Sequence, residues 1–156
     1  MRSNNFSLPN LEKLNKNLKK KYIAKVGILG SKASTQHGDS GQTNASIGAV
    51  HEFGSYSDNI PRRSFLKDPF HEKQTAIVNK VAQLIKANKL ENDFTLKVFK
   101  LIGIYGESIV QEAFETGGFG KWQPLSQQTI DKKKSDSILI DTGELRRSIT
   151  STVDKI

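Results

Sequence analysis

Apolar residues recur at helical spacing in three long stretches of the chain. The first stretch carries four leucines on one helical stripe: Leu8, Leu11, Leu14 and Leu18. This spacing predicts a helix over residues 8–20, with Ser7 as its N-cap and Pro9 in its first turn. The lysines of this stretch fall mostly off the stripe, which is typical of a helix with one packed face.

The second stretch predicts a long helix that faces the core. Asp68 is a favourable N-cap and Pro69 a favourable first helical residue. The apolar stripe that follows is broad, and it fades at residues 87–89. We expect a short link near Leu90 to join this helix to the next one, so that the two form a helical hairpin.

The third stretch predicts a second long helix, capped by Asn92 or Asp93 and ending near Thr116. Gly103 and Gly106 lie three residues apart inside it. A glycine costs about 1 kcal/mol relative to alanine in a helix interior. We therefore expect another backbone, that of the preceding helix, to approach closely at these two positions.

Two segments predict strands. Residues 22–29 alternate, and both of their faces are partly apolar, which favours an internal strand. Residues 150–153 predict a closing strand that pairs with them. The fold class is therefore α+β, with a small antiparallel sheet packed against a hairpin of two long helices. Residues 1–156 form one domain, since no linker or repeat divides the chain.

The remaining segments are polar or short. Residues 31–46 contain no large apolar side chain, which predicts a long mobile loop that becomes ordered against a neighbouring subunit. Residues 47–53 fit either a strand end or a short helix. Ser126 is expected to cap a short C-terminal helix, and Asp141 and Glu144 have the spacing of a capping box that opens another over residues 145–149.

The stretches 51–54 and 60–66 together predict a shaped arm between the first strand and the hairpin. Gly54 and Pro61 bend the backbone, Phe65 and Leu66 dock the arm, and the arginines pair with carboxylates or phosphates. The arm can dock either on its own subunit or on the next one. The candidate interface residues are Phe53, Gly54, Pro61, Arg62, Arg63, Phe65, Leu66 and Trp122.

Composition narrows the function classes. The chain is 35% hydrophobic and 26% charged, with a net charge of +8 and no cysteine. The missing cysteines exclude disulfides and thiolate metal sites. No apolar run reaches the roughly 18 residues of a membrane helix, and no export signal is visible. We therefore expect no membrane partner, and a protein assembled in a cytoplasm.

No motif indicates catalysis, a metal or a cofactor. His51-Glu52 resembles the start of H-E-x-x-H, but Ser55 stands where the second histidine belongs. No phosphate-binding glycine loop and no G-x-S-x-G motif is present. We therefore expect a protein that is not an enzyme, with no catalytic, metal-binding or cofactor-binding residue.

Basic residues cluster at four places, which are residues 19–21, 62–63, 132–134 and 146–147. No nucleic-acid recognition motif accompanies them, so sequence-specific reading of bases is not expected. Non-specific contact with phosphates stays open.

Three stretches in series carry a resemblance to a known family. They are residues 47–54 with 60–66, residues 122–132 around Trp122-Gln-Pro-Leu-Ser, and residues 138–149 around Asp-Thr-Gly-Glu-Leu. In content and order they resemble the virion-morphogenesis, or tail-completion, family of long-tailed bacteriophages such as the Mu-like phages. Ser64 departs from the proline expected before Phe65, which predicts a less constrained arm.

The resemblance implies a structural protein of the virion at the head–tail junction. Such neck proteins form rings, often hexamers, between head connector or adaptor proteins and the tail tube or tail terminator. DNA would pass through the ring channel without sequence-specific binding. Two alternatives stay open, a small basic DNA-binding protein and a tail terminator of similar architecture.

Overall fold

The computed structural model describes residues 8–38, 41–89, 91–134, 136–139 and 142–156. The elements along the chain are α1 (Leu8–Leu18), β1 (Tyr22–Ile28), α2 (Ser31–Ser34), α3 (Asn44–Phe53), α4 (Lys67–Glu72), α5 (Gln74–Asn88), α6 (Phe94–Glu115), α7 (Gln127–Lys133), α8 (Glu144–Ser148) and β2 (Ile149–Lys155). The fold is α+β, as predicted. Three predicted positions lie outside the described residues: the cap Ser7, the link residue Leu90 and the capping-box residue Asp141.

The sheet consists of β1 and β2, paired antiparallel with Val26 opposite Ser151. This confirms the predicted pairing of the first strand with the C-terminal one. The prediction of an internal strand was wrong, because within the described ranges each strand pairs only with the other. The sheet face turned away from the helices is exposed to solvent, and Lys25 forms an ion pair with Asp154 there.

Helix α6 lies across the other face of the sheet, and its glycines allow this contact. A Cβ on Gly103 would lie 2.9 Å from the Ser151 hydroxyl oxygen. A Cβ on Gly106 would lie 2.8 Å from a methyl group of Val26 and 3.3 Å from the ring of Phe70. The close approach is therefore made by side chains of the two strands and by Phe70 of α4, which is the first part of the preceding helical stretch, and not by a neighbouring backbone.

The helix expected to start at Asp68 starts earlier and is divided. Its first segment, α4, begins at Lys67 with Leu66 as the N-cap, and the Asp68 side chain caps nothing. The two segments separate at Lys73, which lies at φ −94° and ψ 13°. The Lys73 ammonium group binds Glu112 of α6 and lies 4.6 Å from the centre of the Phe119 ring, so the break is anchored to the neighbouring helix.

The outer helices pack more loosely than their apolar stripes predict. No apolar side chain of α5 is fully buried, and its one buried residue is Asn88. On α1, Leu11 and Leu18 remain 43% and 62% exposed. The densest core lies instead between α6, the arm and the C-terminal segment, where Phe65, Val110, Phe114, Trp122 and Leu145 pack together.

The polar stretch 31–46 is structured, so the prediction of a long loop was wrong for its described part. It contains α2 and the first turn of α3, and the two are joined by a bridge between Gln36 and Thr43. Thr43 caps α3 by accepting a hydrogen bond from the backbone N–H of Ser46. Asn44 is buried and donates to the carbonyl oxygen of Lys32. Local polar hydrogen bonds thus replace apolar burial in this segment.

The short C-terminal helices agree in part with the sequence. Ser126 caps α7, as predicted, by accepting from the N–H of Thr129. Helix α8 begins at Glu144 with Gly143, at φ 75°, as its N-cap residue, and the predicted capping box involves Asp141, outside the described residues. Ile149 belongs to β2 and not to this helix. Among the described helices, none is long and apolar enough to cross a membrane.

Candidate functional site

The arm, residues 53–66, leaves the C-terminus of α3 as a narrow hairpin. Gly54 adopts φ 79°, and a Cβ there would lie 3.0 Å from the backbone nitrogen of Arg62, so glycine is needed at this turn. Two backbone hydrogen bonds between Ser55 and Ile60, of 2.9 and 2.8 Å, close the hairpin. The half-buried Pro61 leads the chain back towards the core. The arm is therefore a shaped protrusion and not a loose connection.

The base of the arm is organised by a buried carboxylate. Glu52, at the end of α3, is 6% exposed. One carboxylate oxygen accepts from the backbone N–H groups of Phe65 and Leu66, both at 2.9 Å. The other accepts from the Ser64 hydroxyl at 2.7 Å and from the N–H of Lys67 at 3.0 Å. We call this arrangement, Glu52 with residues 64–67, the elbow.

The elbow satisfies the N-terminus of α4 from another part of the chain. The first N–H groups of a helix lack partners within the helix and carry partial positive charge. The Glu52 carboxylate fills both needs, and the Ser64 hydroxyl accepts one further bond from the N–H of Asp68 at 3.0 Å. This explains why α4 starts at Lys67 and why Asp68 is not required as its cap.

Trp122 closes the elbow from the C-terminal side. Its indole N–H donates to the carbonyl oxygen of Ser64 at 3.0 Å. Its ring meets Phe114 edge to face at a centroid distance of 5.8 Å, and Phe114 in turn contacts Phe65. Ser64 is 2% exposed and bonded through its hydroxyl and its carbonyl. The prediction that serine leaves the arm less constrained was therefore wrong.

The two arginines of the arm are both used within the chain. Arg62 forms a bidentate ion pair with Asp68, with Nη1–Oδ2 and Nη2–Oδ1 distances of 2.7 and 2.6 Å. This hydrogen-bonded pair lowers the pKa of Asp68 and raises that of Arg62. Arg63 is buried and donates to the carbonyl oxygens of Gln123 and Pro124 at 3.0 and 3.2 Å. Burial lowers the pKa of Arg63.

The structure thus separates the candidate residues into two groups. Phe65 is fully buried, Trp122 is 9% exposed, and both pack in the core of their own chain. Phe53 is 73% exposed at the arm tip. Beside it lies Tyr56, which is fully exposed at 104% and was not among the predicted residues. The signal that could have revealed Tyr56 is a lone aromatic in a polar turn, where no core requires one.

The base of the arm therefore docks on its own chain, and the exposed aromatic rings of the arm lie at its tip. We define the arm tip as residues 53–60, whose only charged residue is Asp58. Asp58 accepts a hydrogen bond of 2.5 Å from the Ser55 hydroxyl, which keeps the carboxylate beside the turn. A polar groove of about 720 Å³ separates the arm from the start of α7, with Arg62 and Gln123 in its wall.

The remaining candidates for metal binding or DNA binding make contacts within the chain. His51 lies within α3, and its carbonyl oxygen accepts from the N–H of Arg63 at 2.8 Å. The described residues contain no cluster of three or more histidine or carboxylate side chains that could hold a metal. Among the basic clusters, Lys20 forms an ion pair with Asp93, Arg146 binds Glu115, and Arg147 donates to a backbone carbonyl.

Comparison with known proteins adds no relative. The chain matches no family model, and neither a curated protein nor a solved structure matches it at a significant level.

Proposed function

We propose that this protein is a structural subunit of a bacteriophage head–tail junction, a tail-completion or neck protein that assembles into a ring. It would join the head connector to the tail, and its work would be binding and not catalysis. DNA would pass through the ring without being read. The proposal combines the resemblance of three sequence stretches with the way in which the fold uses them.

The observation that carries the proposal is that the three resembling stretches meet at one place. Glu52 from the first stretch accepts from the backbone N–H groups of residues 65–67, Trp122 from the second donates to the Ser64 carbonyl, and Leu145 from the third packs in the same core. Residues that are scattered in sequence but joined in space form one structural unit. The resemblance therefore concerns a coherent part of the fold, and the proposed function rests on analogy with the family that those stretches resemble.

The surface of the chain also favours assembly. Large apolar side chains are exposed on several faces, including Phe53 and Tyr56 on the arm and Val78, Ile85 and Ile104 on the helical hairpin. Both strands of the described sheet also have an unpaired edge. These features suit a subunit that is completed by its neighbours in a closed ring.

The DNA-binding alternative has weaker support. Direct phosphate binding needs cationic groups that face solvent. Of the arginines, Arg62 is paired with Asp68, Arg63 is buried, and Arg146 is held by Glu115. The lysine clusters keep exposed members such as Lys19 and Lys132, so non-specific phosphate contact stays open. A tail terminator would have the same architecture, and its position in the particle would distinguish it.

A completion assay tests the proposal. Heads and tails would be isolated from particles made without this protein, then mixed with the purified chain. We expect a ring on the tail or head connector by negative-stain electron microscopy, and a rise in infectious titre. Light scattering would give the mass of the protein alone and with tails. The Thr152→Ala variant, changed at an exposed strand position, is the matched control for arm variants.

Two results would count against the proposal. The first is a protein that binds neither heads nor tails and leaves the titre at background. The second is tight binding to free duplex DNA that weakens steeply between low and moderate salt, because that behaviour is expected of the DNA-binding alternative.

A further inference from the structure

The hairpin of α5 and α6 presents an apolar cleft that no side chain of the described chain fills. Its volume is about 260 Å³, and Val26, Phe70, Ile77, Ile102 and Tyr105 are among its walls. None of its lining residues is charged. A cavity of about 150 Å³ with apolar walls is large enough to bind benzene. The cleft is therefore large enough for one aromatic side chain.

The cleft has a cation close to its wall. Helix α5 contributes Ile77 to the lining and carries Lys80 about one turn further on, with no acidic residue, whereas α6 carries Glu107 next to Gly106. The ammonium group of Lys80 lies 5.6 Å from the ring centre of Tyr105, at the wall of the cleft. A partner that fits this surface should offer an aromatic ring next to a negative charge.

The arm tip of the same chain has this chemistry. Tyr56 is fully exposed and Phe53 is 73% exposed, so neither ring is packed within its own chain. Asp58, two residues from Tyr56, is the only charged residue of the tip. The hairpin hydrogen bonds between Ser55 and Ile60 fix the shape of the tip before any contact is made. A preorganised tip loses little conformational entropy on binding.

We propose that the arm tip of one copy docks in the hairpin cleft of the next copy, with the Tyr56 ring inside the cleft and Asp58 beside Lys80. The contact is heterologous, because the tip and the cleft are different surfaces. Repetition of one heterologous contact produces a ring when the rotation closes. The proposal deepens the proposed function, and it rests on that function for the closure of the ring.

Cysteine pairing tests the contact directly, since the sequence contains no cysteine. Protein carrying Ser57→Cys, which keeps the Tyr56 ring, would be mixed with protein carrying Ile77→Cys under mild oxidation, free and bound to tails. We expect covalent dimers at least five-fold above the level in either protein alone. A mixture of Ser57→Cys with Thr152→Cys, on the exposed face of the sheet, is the control. Circular dichroism would check that every variant is folded.

Charge exchange gives an independent readout. Asp58→Lys and Lys80→Glu should each lower the assembled fraction in light scattering, and the double variant should restore it. Rings that form without the specific crosslink and that neither charge change weakens would contradict the docking of the arm tip in the cleft but not the proposed ring. A specific crosslink in a protein that does not complete particles would contradict the proposed head–tail function but not the docking of the arm tip in the cleft. A protein that neither assembles nor crosslinks overturns both.

Discussion

Glu52 and Ser64 lie 12 positions apart in the chain, and their carboxylate and hydroxyl oxygens meet at 2.7 Å in the buried elbow. The same carboxylate accepts three backbone N–H groups at the start of α4. One acidic side chain therefore joins the end of α3 to the beginning of α4 and sets the base of the arm between them.

Replacement of Glu52 by Gln should destabilise the protein strongly. The amide keeps the shape but removes the charge, and its NH₂ group can no longer accept from the backbone. Losing acceptors for buried donors costs about 1–3 kcal/mol per group, so we expect a total loss of about 2–4 kcal/mol. Urea unfolding measures it. Glu12→Gln, on an exposed position of α1, should change the stability by less than about 0.5 kcal/mol. Equal stability of the two variants would contradict this role.

Trp122→Phe should separate the hydrogen bond of the elbow from its packing. Phenylalanine can still meet Phe114 but cannot donate to the Ser64 carbonyl. We expect a cost of about 1–3 kcal/mol from the lost bond and the smaller ring, and a larger cost of about 3–5 kcal/mol for Trp122→Ala. Thermal unfolding followed by circular dichroism measures both. If Trp122→Phe is as stable as the wild type, the bond contributes nothing.

The ion pair of Arg62 and Asp68 should give the protein a specific acid dependence. Because Arg62 lowers the pKa of Asp68 in the folded state, the stabilisation is complete above the unfolded value of about 3.9 and is lost as pH falls through the lowered pKa. Asp68 is about half exposed, with 54% of its side chain accessible, so we expect less than about 1 kcal/mol.

Carboxyl NMR titration checks this dependence residue by residue. The Asp68 midpoint should lie below that of an ordinary aspartate, and Arg62→Gln should return it towards the ordinary value. An Asp68 midpoint that does not move on Arg62→Gln would refute the assignment.

Gly106→Ala should destabilise the packing of α6 on the sheet, because the new Cβ would lie 2.8 Å from a methyl group of Val26. Overpacking of this kind costs about 1–3 kcal/mol, partly offset by the better helix propensity of alanine. In a Val26→Ala background this methyl group is absent and only the tight contact with the Phe70 ring remains, so the same change should cost less. Urea unfolding of the wild type, Gly106→Ala, Val26→Ala and the double variant gives the coupling free energy between the two positions. Additive effects would show that the contact does not limit the packing.

The sequence predicts the long elements well, because their signal is local. Residues 22–29 alternate and residues 92–116 keep a helical stripe, and the structure contains β1 and α6 at these places. Thr43 is a residue type that favours helix N-caps, and it stands three residues before Ser46. Residues 31–46 nevertheless predict a loop, because they lack large apolar side chains, although polar side chains can order a segment by themselves.

The elbow could not be predicted, because it depends on contacts between distant residues. Nothing near Glu52 in the chain indicates that its partners are the N–H groups of residues 65–67. For the same reason the glycines of α6 predicted a close approach but not its partner. Phe53 could be named as an interface candidate from its place in the arm, but its contrast with the buried Phe65 needed three dimensions.

The elbow has a consequence for hydrogen exchange. The first N–H groups of a helix normally exchange quickly with solvent, because no carbonyl of the helix covers them. At the start of α4, the amides of Phe65, Leu66 and Lys67 are instead bound to a buried carboxylate. They should exchange only when the core opens, with protection close to that of the centre of α6. Three consecutive slow amides at a helix start would then report the opening of the arm directly, in the free subunit and in any assembly.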